Sequence, residues 1–321
     1  MLNFYRKISI ITIITLPLTL IYILILKLRY LIITPKKFQQ FAIAIGNATI
    51  GGAGKTPSAI AIGQVLSEQN MPYSFLTKGY KGRIIGPQQV DLLTQSIKDT
   101  GDEARLLAEH NDTFIVKNRH KAIEFLGQNA QKVLILDDGL QNAYINCDLN
   151  ILVIDDSYLF GNNFIFPSGP LRNSISWHIN KADCIFLITN ANELLAEEFV
   201  KKISQNKPIF KLTPKLVSKI DHNKNYLAFS ALANNQKFFN FLSNNNINIV
   251  EYESFKDHYN YTISDIEKIV VKAKGQNLSI ITTEKDFVKI KDFASKDINV
   301  CKMKLEFVDK IEFINFIKLK I

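Results

Sequence analysis

Four side chains carry the chemistry legible in this sequence. Lys55 and Thr56 close a glycine-rich run, and Asp137 and Asp138 close a hydrophobic one. The first run reads Phe41-Ala-Ile-Ala-Ile-Gly-Asn-Ala-Thr-Ile-Gly-Gly-Ala-Gly-Lys-Thr-Pro57. Its apolar segment, 41–45, has the length and composition of a buried parallel strand, and small residues after Pro57 open a helix. Strand, glycine loop, Lys-Thr and helix together form the phosphate cradle of enzymes that use nucleoside triphosphates. Glycines let backbone N–H groups turn toward phosphate oxygens, and the helix N-terminus adds partial positive charge. The cradle is expected from Thr49, Ile50, Gly51, Gly52, Ala53, Gly54, Lys55 and Thr56. Lys55 is placed to reach the β- and γ-phosphates, and the Thr56 hydroxyl to ligate Mg2+. The strict spacing puts glycine six residues before the lysine; Thr49 stands there instead.

The second run, Val133-Leu-Ile-Leu-Asp-Asp-Gly139, has the form of a Walker B element. An acid at such a strand end holds Mg2+ directly or through water. Two adjacent acids cannot point the same way along a strand, so one is expected on the metal and the other toward an acceptor. Gly101-Asp-Glu-Ala104 puts two more acids at a helix start, where they serve either as cap and dipole complement or as a base; spacing does not decide. The segment 161–172 is rich in Gly and Pro and ends in Arg172, which suits a phosphate clamp. His258 stands beside Asp257; His110, His120, His178 and His222 have no distinguishing neighbours and read as structural.

The elements that must position these groups alternate. Strands are expected over 72–76, 114–117, 133–136, 151–154 and 185–188, with helices over 57–69, 101–110 and 120–128. That alternation predicts a parallel sheet with helices on both faces. A less regular second α/β part follows, with strands over 208–212, 226–229, 247–252, 278–282 and 300–305 and helices over 235–244, 263–273 and 285–291. The domain reading is 1–36, 37–205 and 206–321.

The first of these contains an uncharged apolar stretch, 8–26, close to the ~20 residues that span a bilayer. It is softened by Thr12, Thr15, Thr19 and Tyr22 and interrupted by Pro17. No small-residue cleavage site follows it, so it reads as a membrane helix, spanning the bilayer or lying in its interface. Denser cations on its C-terminal side favour a catalytic part that faces the cytoplasm.

The chain has 321 residues, 47% of them hydrophobic, and a formal net charge of +9. That length supports two domains with real cores. The charge suits an anionic membrane or a phosphorylated substrate. No aromatic-basic motif points to nucleic acid, and nothing points to an obligate protein partner. The three cysteines have neither metal nor disulfide spacing, which suits a reducing compartment.

Together these stretches resemble the tetraacyldisaccharide 4′-kinase family of lipid A biosynthesis. The resemblance is carried by Gly46 to Pro57, Lys78-Gly-Tyr80, Gly101-Asp-Glu103, Asp137-Asp-Gly-Leu-Gln141, Pro167 to Arg172, Asp257-His258 and Thr282-Thr-Glu-Lys-Asp286. It implies ATP- and Mg2+-dependent phosphorylation of the 4′-hydroxyl of an anionic glycolipid, the tetraacylated disaccharide 1-phosphate. It implies a P-loop NTPase-like domain and a smaller α/β domain closing an active-site cleft. It implies a base at Asp102 supported by His258, Asp137 and Asp138 at metal and acceptor, and substrate contacts from Asn47, Arg119, Gln141 and Arg172. The chain departs from the family pattern at Ala104, Leu140, Asn142 and Asn173, where Pro, Phe, His and Glu are expected. The competing reading is a membrane-attached ATPase or GTPase switch or motor.

Overall fold

The computed structural model describes residues 5–321 except 6, 52, 53, 190–192, 258, 292 and 294–296, and describes the backbone alone at 119, 120, 128, 129 and 193. It divides into two units, Met1–Thr213 with Leu305–Ile321, and Pro214–Lys304.

The apolar N-terminal stretch folds as two helices, α1 (Ile10–Ile14) and α2 (Leu16–Ile32). Ser9 and Thr12 form a capping box on α1, and Pro17 sits in the first turn of α2, where its missing N–H costs nothing. The expected membrane-spanning helix is therefore corrected: among the described residues no helix is long and apolar enough to cross a membrane. The threonines explain the difference. Thr15 returns its hydroxyl to Ile11 O at 2.8 Å, and Thr19 is buried against protein.

The first unit continues with β1 (Phe41–Asn47), α3 (Lys55–Glu68), β2 (Tyr73–Thr77), β3 (Gln88–Gln89), α4 (Ile97–Thr100), α5 (Asp102–Ala108), β4 (Thr113–Ile115) and α6 (Arg119–Asn129). Then come β5 (Val133–Leu136), β6 (Leu149–Asp155), α7 (Ile175–Lys181), β7 (Cys184–Ile188), α8 (Glu193–Ile203) and β8 (Ile209–Leu216). Among the described residues the strands form a nine-stranded sheet, ordered β13-β8-β7-β6-β1-β5-β2-β4-β3, where β13 is Met303–Phe307. β1 pairs in parallel with β5 and with β6, Ala44 opposite Leu136 on one side and Asn150 on the other. The strand is buried on both faces, which is why it reads as a continuous apolar run. Alternation separates its side chains: Ile43 and Ile45 join Phe75, Ile135 and the α3 residues Ile62 and Leu66 on one face. Ala42 and Ala44 join Leu76, Leu134 and Leu136 on the other.

The second unit holds β9 (Asn225–Ser230), α9 (Asn235–Asn244), β10 (Asn248–Ser254), α10 (Ile263–Gly275), β11 (Ser279–Thr283), α11 (Glu284–Ile290) and β12 (Ile298–Cys301). Its four strands run in the order β10-β9-β11-β12, all paired in parallel. Leu227 and Phe229 face one core and Tyr226 and Ala228 the other.

Two expectations change at the C-terminus. The single strand over 300–305 is two, β12 and β13, one in each sheet. Lys302 separates them, its N–H donating to Ser218 Oγ at 3.0 Å and its carbonyl accepting from Val217 N at 2.9 Å. The stretch from Leu305 on, ending in α12 (Lys310–Lys318), belongs to the first unit, not to a second domain running to 321. Phe313 and Ile317 carry it there, packed with Phe186 and Phe210.

Candidate active site

The phosphate loop grows out of the end of β1. A Cβ at Gly46 would stand 2.4 Å from Leu140 Cβ and 3.2 Å from Leu140 N, so the turn after β5 passes where any side chain would sit. At the other end of the loop Gly54 takes the left-handed conformation, φ +77°, as the N-cap of α3. Lys55 and Thr56 are the first residues of that helix. Lys55 Nζ donates to Asn47 Oδ1 at 3.0 Å and lies 3.7 Å from Asp138. Asn47 in turn donates to Thr49 O at 2.8 Å, which pins the start of the loop. Gly52 and Ala53 lie outside the described residues.

Asp138 takes φ +55°, and this turn makes the two adjacent acids diverge. Asp137 is buried; its Oδ2 accepts from the Thr56 hydroxyl at 2.7 Å, and its Oδ1 has no hydrogen-bond partner. Burial pushes its carboxyl up to about 7, the charge of Glu103 adds to that, and Lys55 and the Thr56 hydroxyl oppose it. Asp138 has the opposite fate. Burial raises its carboxyl, but Lys55 and then Arg172 outweigh it and hold it at about 2. Arg172 Nη1 meets both its oxygens, at 2.8 and 3.1 Å. Two neighbouring carboxyls pushed apart in this way are suited to different tasks.

The segment expected to be functional, 161–172, is zipped onto the phosphate loop. Ile50 N donates to Pro170 O at 2.7 Å, Arg172 N to Ala48 O at 2.8 Å, and Arg172 Nε to Thr49 O at 3.2 Å. The same segment receives α2. Thr19 donates to Ser168 Oγ at 2.8 Å, the Ser168 N–H donates to Thr19 Oγ1 at 3.2 Å, and the Tyr22 hydroxyl donates to Arg172 O at 3.1 Å. Beside these contacts lies a cavity of about 490 Å³, with Tyr22, Arg29 and Tyr30 of α2 facing Lys78, Lys117 and Gln141. Asp138 and Arg172 also line it, so the cavity reaches the ionic cluster of the phosphate loop.

The site residues expected from sequence fall into three groups. Asn47, Thr49, Lys55, Thr56, Asp137, Asp138, Gln141 and Arg172 come together through the contacts just described. Asp102 lies at the start of α5 after Gly101 at φ +83°, with Oδ1 accepting from Glu103 N at 3.1 Å. His258 lies outside the described residues, as does the side chain of Arg119, so the Asp102–His258 pair is not placed. Sequence reasoning missed Glu103 in favour of its neighbour, and missed Lys117. It also missed His178, whose Nε2 lies 3.1 Å from Gln141 Nε2. Two departures from the family pattern have local roles: Asn173 Oδ1 accepts from Ser174 N at 2.8 Å, and Asn142 Oδ1 from Tyr144 N at 2.9 Å.

A family model described as tetraacyldisaccharide-1-P 4′-kinase matches residues 11–321. A tetraacyldisaccharide 4′-kinase of Rickettsia bellii is 35% identical, covering 93% of this chain and 91% of its own. One of Rickettsia canadensis is 34% identical over 90% of this chain and 88% of its own. Among solved structures, an LpxK from Aquifex aeolicus in complex with ATP is 25% identical with a TM-score of 0.77, covering 97% of this chain and 99% of that one.

Proposed function

As the chain belongs to the tetraacyldisaccharide-1-P 4′-kinase family, we infer that it transfers the γ-phosphoryl group of ATP to the 4′-hydroxyl of a tetraacyldisaccharide 1-phosphate, at the end of the sheet where β1 meets β5. The observation that carries the site is Asp137, buried at a strand end, with one oxygen on the Thr56 hydroxyl and the other without a partner. A buried orphan carboxylate oxygen beside a hydroxyl fits a hard cation, and we assign Thr56 and Asp137 to Mg2+. Among the described residues no three His, Cys, Asp or Glu side chains gather for a metal, which fits an ion that takes one or two protein ligands and completes its shell with phosphate and water. Bound there, Mg2+ supplies charge neutralisation at the phosphates.

The chain's own groups do the rest by position. Lys55, now shared between Asn47 and Asp138, reaches the phosphates from the first turn of α3. Arg172 and Lys55 bracket Asp138, so neither cation needs to be reorganised far to meet a transferring phosphoryl group. Asp102 takes the hydroxyl proton. The glycolipid headgroup occupies the cavity under α2, where Arg29, Lys78 and Lys117 suit its anionic phosphate. The outer side of α1 and α2 exposes Ile10, Ile13, Ile14, Leu20, Leu24 and Leu31. We propose that this apolar surface lies in the cytoplasmic face of the inner membrane and brings the acyl chains to the cavity.

Incubation of the protein with labelled ATP, Mg2+ and the lipid acceptor in detergent tests this reading. Label on the lipid is expected; release of phosphate with no labelled lipid would favour the ATPase switch or motor.

A further inference from the structure

We propose that His178 is a positioning residue for the acceptor: it fixes the carboxamide of Gln141 so that Gln141 Oε1 is held toward the cavity under α2 to accept a hydrogen bond from a hydroxyl or amide N–H of the sugar headgroup. This rests on the reading of that cavity as the acceptor site.

The argument is one of donors and acceptors. His178 Nδ1 lies 2.9 Å from the carbonyl of Ser174, which can only accept, so Nδ1 carries the hydrogen. The ring is fully buried, and burial lowers its basicity to about 4, so at neutral pH the other nitrogen, Nε2, presents a lone pair. That lone pair faces Gln141 Nε2 at 3.1 Å. Gln141 Nε2 also donates to Asn47 O at 2.6 Å, again a group that can only accept. Both amide hydrogens are therefore committed, one to the strand that leads into the phosphate loop and one to α7. A flipped carboxamide would set its oxygen against the Asn47 carbonyl and the His178 lone pair at once. The backbone of Gln141 is held as well, its carbonyl accepting from the Tyr30 hydroxyl at 3.3 Å. Tyr30 packs on Trp177, the neighbour of His178, with ring centroids 5.4 Å apart. What remains is Oε1, buried, without a partner, on a residue that lines the cavity. A buried acceptor left unpaired and oriented from three sides is a binding group in waiting for a donor.

The test compares two variants that lose the ring equally. His178→Asn keeps a donor for the Ser174 carbonyl but is too short to offer Gln141 an acceptor; His178→Gln is long enough to accept from it. Full-length protein is assayed in detergent with ATP, Mg2+ and the lipid acceptor, with melting temperatures recorded. His178→Asn should raise KM for the lipid roughly tenfold, with KM for ATP unchanged, and His178→Gln should recover most of that loss. Gln141→Leu should raise KM for the lipid by a similar factor, and adding His178→Asn to it should cost nothing further. Equal KM values for the Asn and Gln variants, or losses that multiply in the double variant, would overturn the role of His178 while leaving the cavity reading intact. A Gln141→Leu variant with wild-type KM for the lipid would overturn the cavity reading and this inference with it.

Discussion

Each unit of this protein buries an aspartate at the C-terminal end of a parallel strand, and the two have opposite surroundings. In the second unit Asp286, in the first turn of α11, is closed. Its Oδ2 accepts from Ala231 N at 3.0 Å and from the Thr283 hydroxyl at 2.7 Å, and its Oδ1 meets Lys289 at 3.1 Å. Tyr261 lies beside it, its hydroxyl proton held on by burial and by the Asp286 charge. In the first unit Asp137 is open, with Oδ1 unpartnered and the carboxyl pushed up to about 7. Both stretches read in sequence as strand, acid and helix or turn. The satisfied one ties a strand to a helix; the unsatisfied one is kept for something that arrives from outside.

The contrast breaks most visibly under substitution. Asp286→Ala leaves Lys289 buried without its partner, and unfolding free energy should fall by about 3–5 kcal/mol. Denaturant titration at unchanged m reads this. Asp137→Asn should do the reverse: turnover falls roughly 10²–10³-fold, as for loss of a group that acts on the transferring charge, while the fold survives. Lys55→Ala belongs with it, with a loss of similar size in kcat. Stability lost in Asp137→Asn, or activity kept at full stability in both variants, would erase the distinction.

Acidity sharpens it next. The folded state raises the Asp137 carboxyl, so its stabilising contribution is fully present below the ordinary carboxylate range and is lost as pH rises through about 7. Asp137→Asn should therefore be more stable than the wild type at pH 8, with the difference vanishing below pH 4. Since a metal needs the carboxylate, KM for Mg2+ should rise about tenfold per unit below pH 7. Asp138, held at about 2, carries the opposite sign: its contribution is present above the ordinary range and lost between about pH 4 and 2. The smallest effect concerns the seat of α2. Thr19→Val leaves the Ser168 N–H without its acceptor and should cost about 1 kcal/mol, with the phosphate loop still competent in detergent.

The open site was largely legible because its signals are local. The apolar run before Gly46, the lysine after Gly54 and the acids after Leu136 each depend on a few neighbouring residues. What was hidden depends on distance or on phase. His178 reads as an ordinary helix residue until Gln141, thirty-seven positions earlier, is brought against it. Asp102 and Glu103 are adjacent, and only the orientation of α5 decides that the charge of Glu103 acts on Asp137. The threonines of the apolar N-terminus look like dilution of a membrane segment; their partner Ser168 lies about 150 positions away. Lys302 divides one apolar run between two sheets through a bond to Ser218, which no local pattern announces.

The return of the chain to its first unit after Lys304 has a consequence for biosynthesis. β8 and β13 are neighbours in the sheet, yet residues 217–302 are made between them. Closing a floppy loop of ~90 residues costs about 4 kcal/mol by the logarithmic law. The insert removes most of that cost when it folds, because Val217 and Ser218 near its start are hydrogen-bonded to Lys302 near its end. Synthesis thus runs through a waiting period in which the phosphate loop has been made but Phe186 and Phe210 still lack Phe313. The core of the nucleotide-binding unit is closed by α12, which is made only after the whole insert.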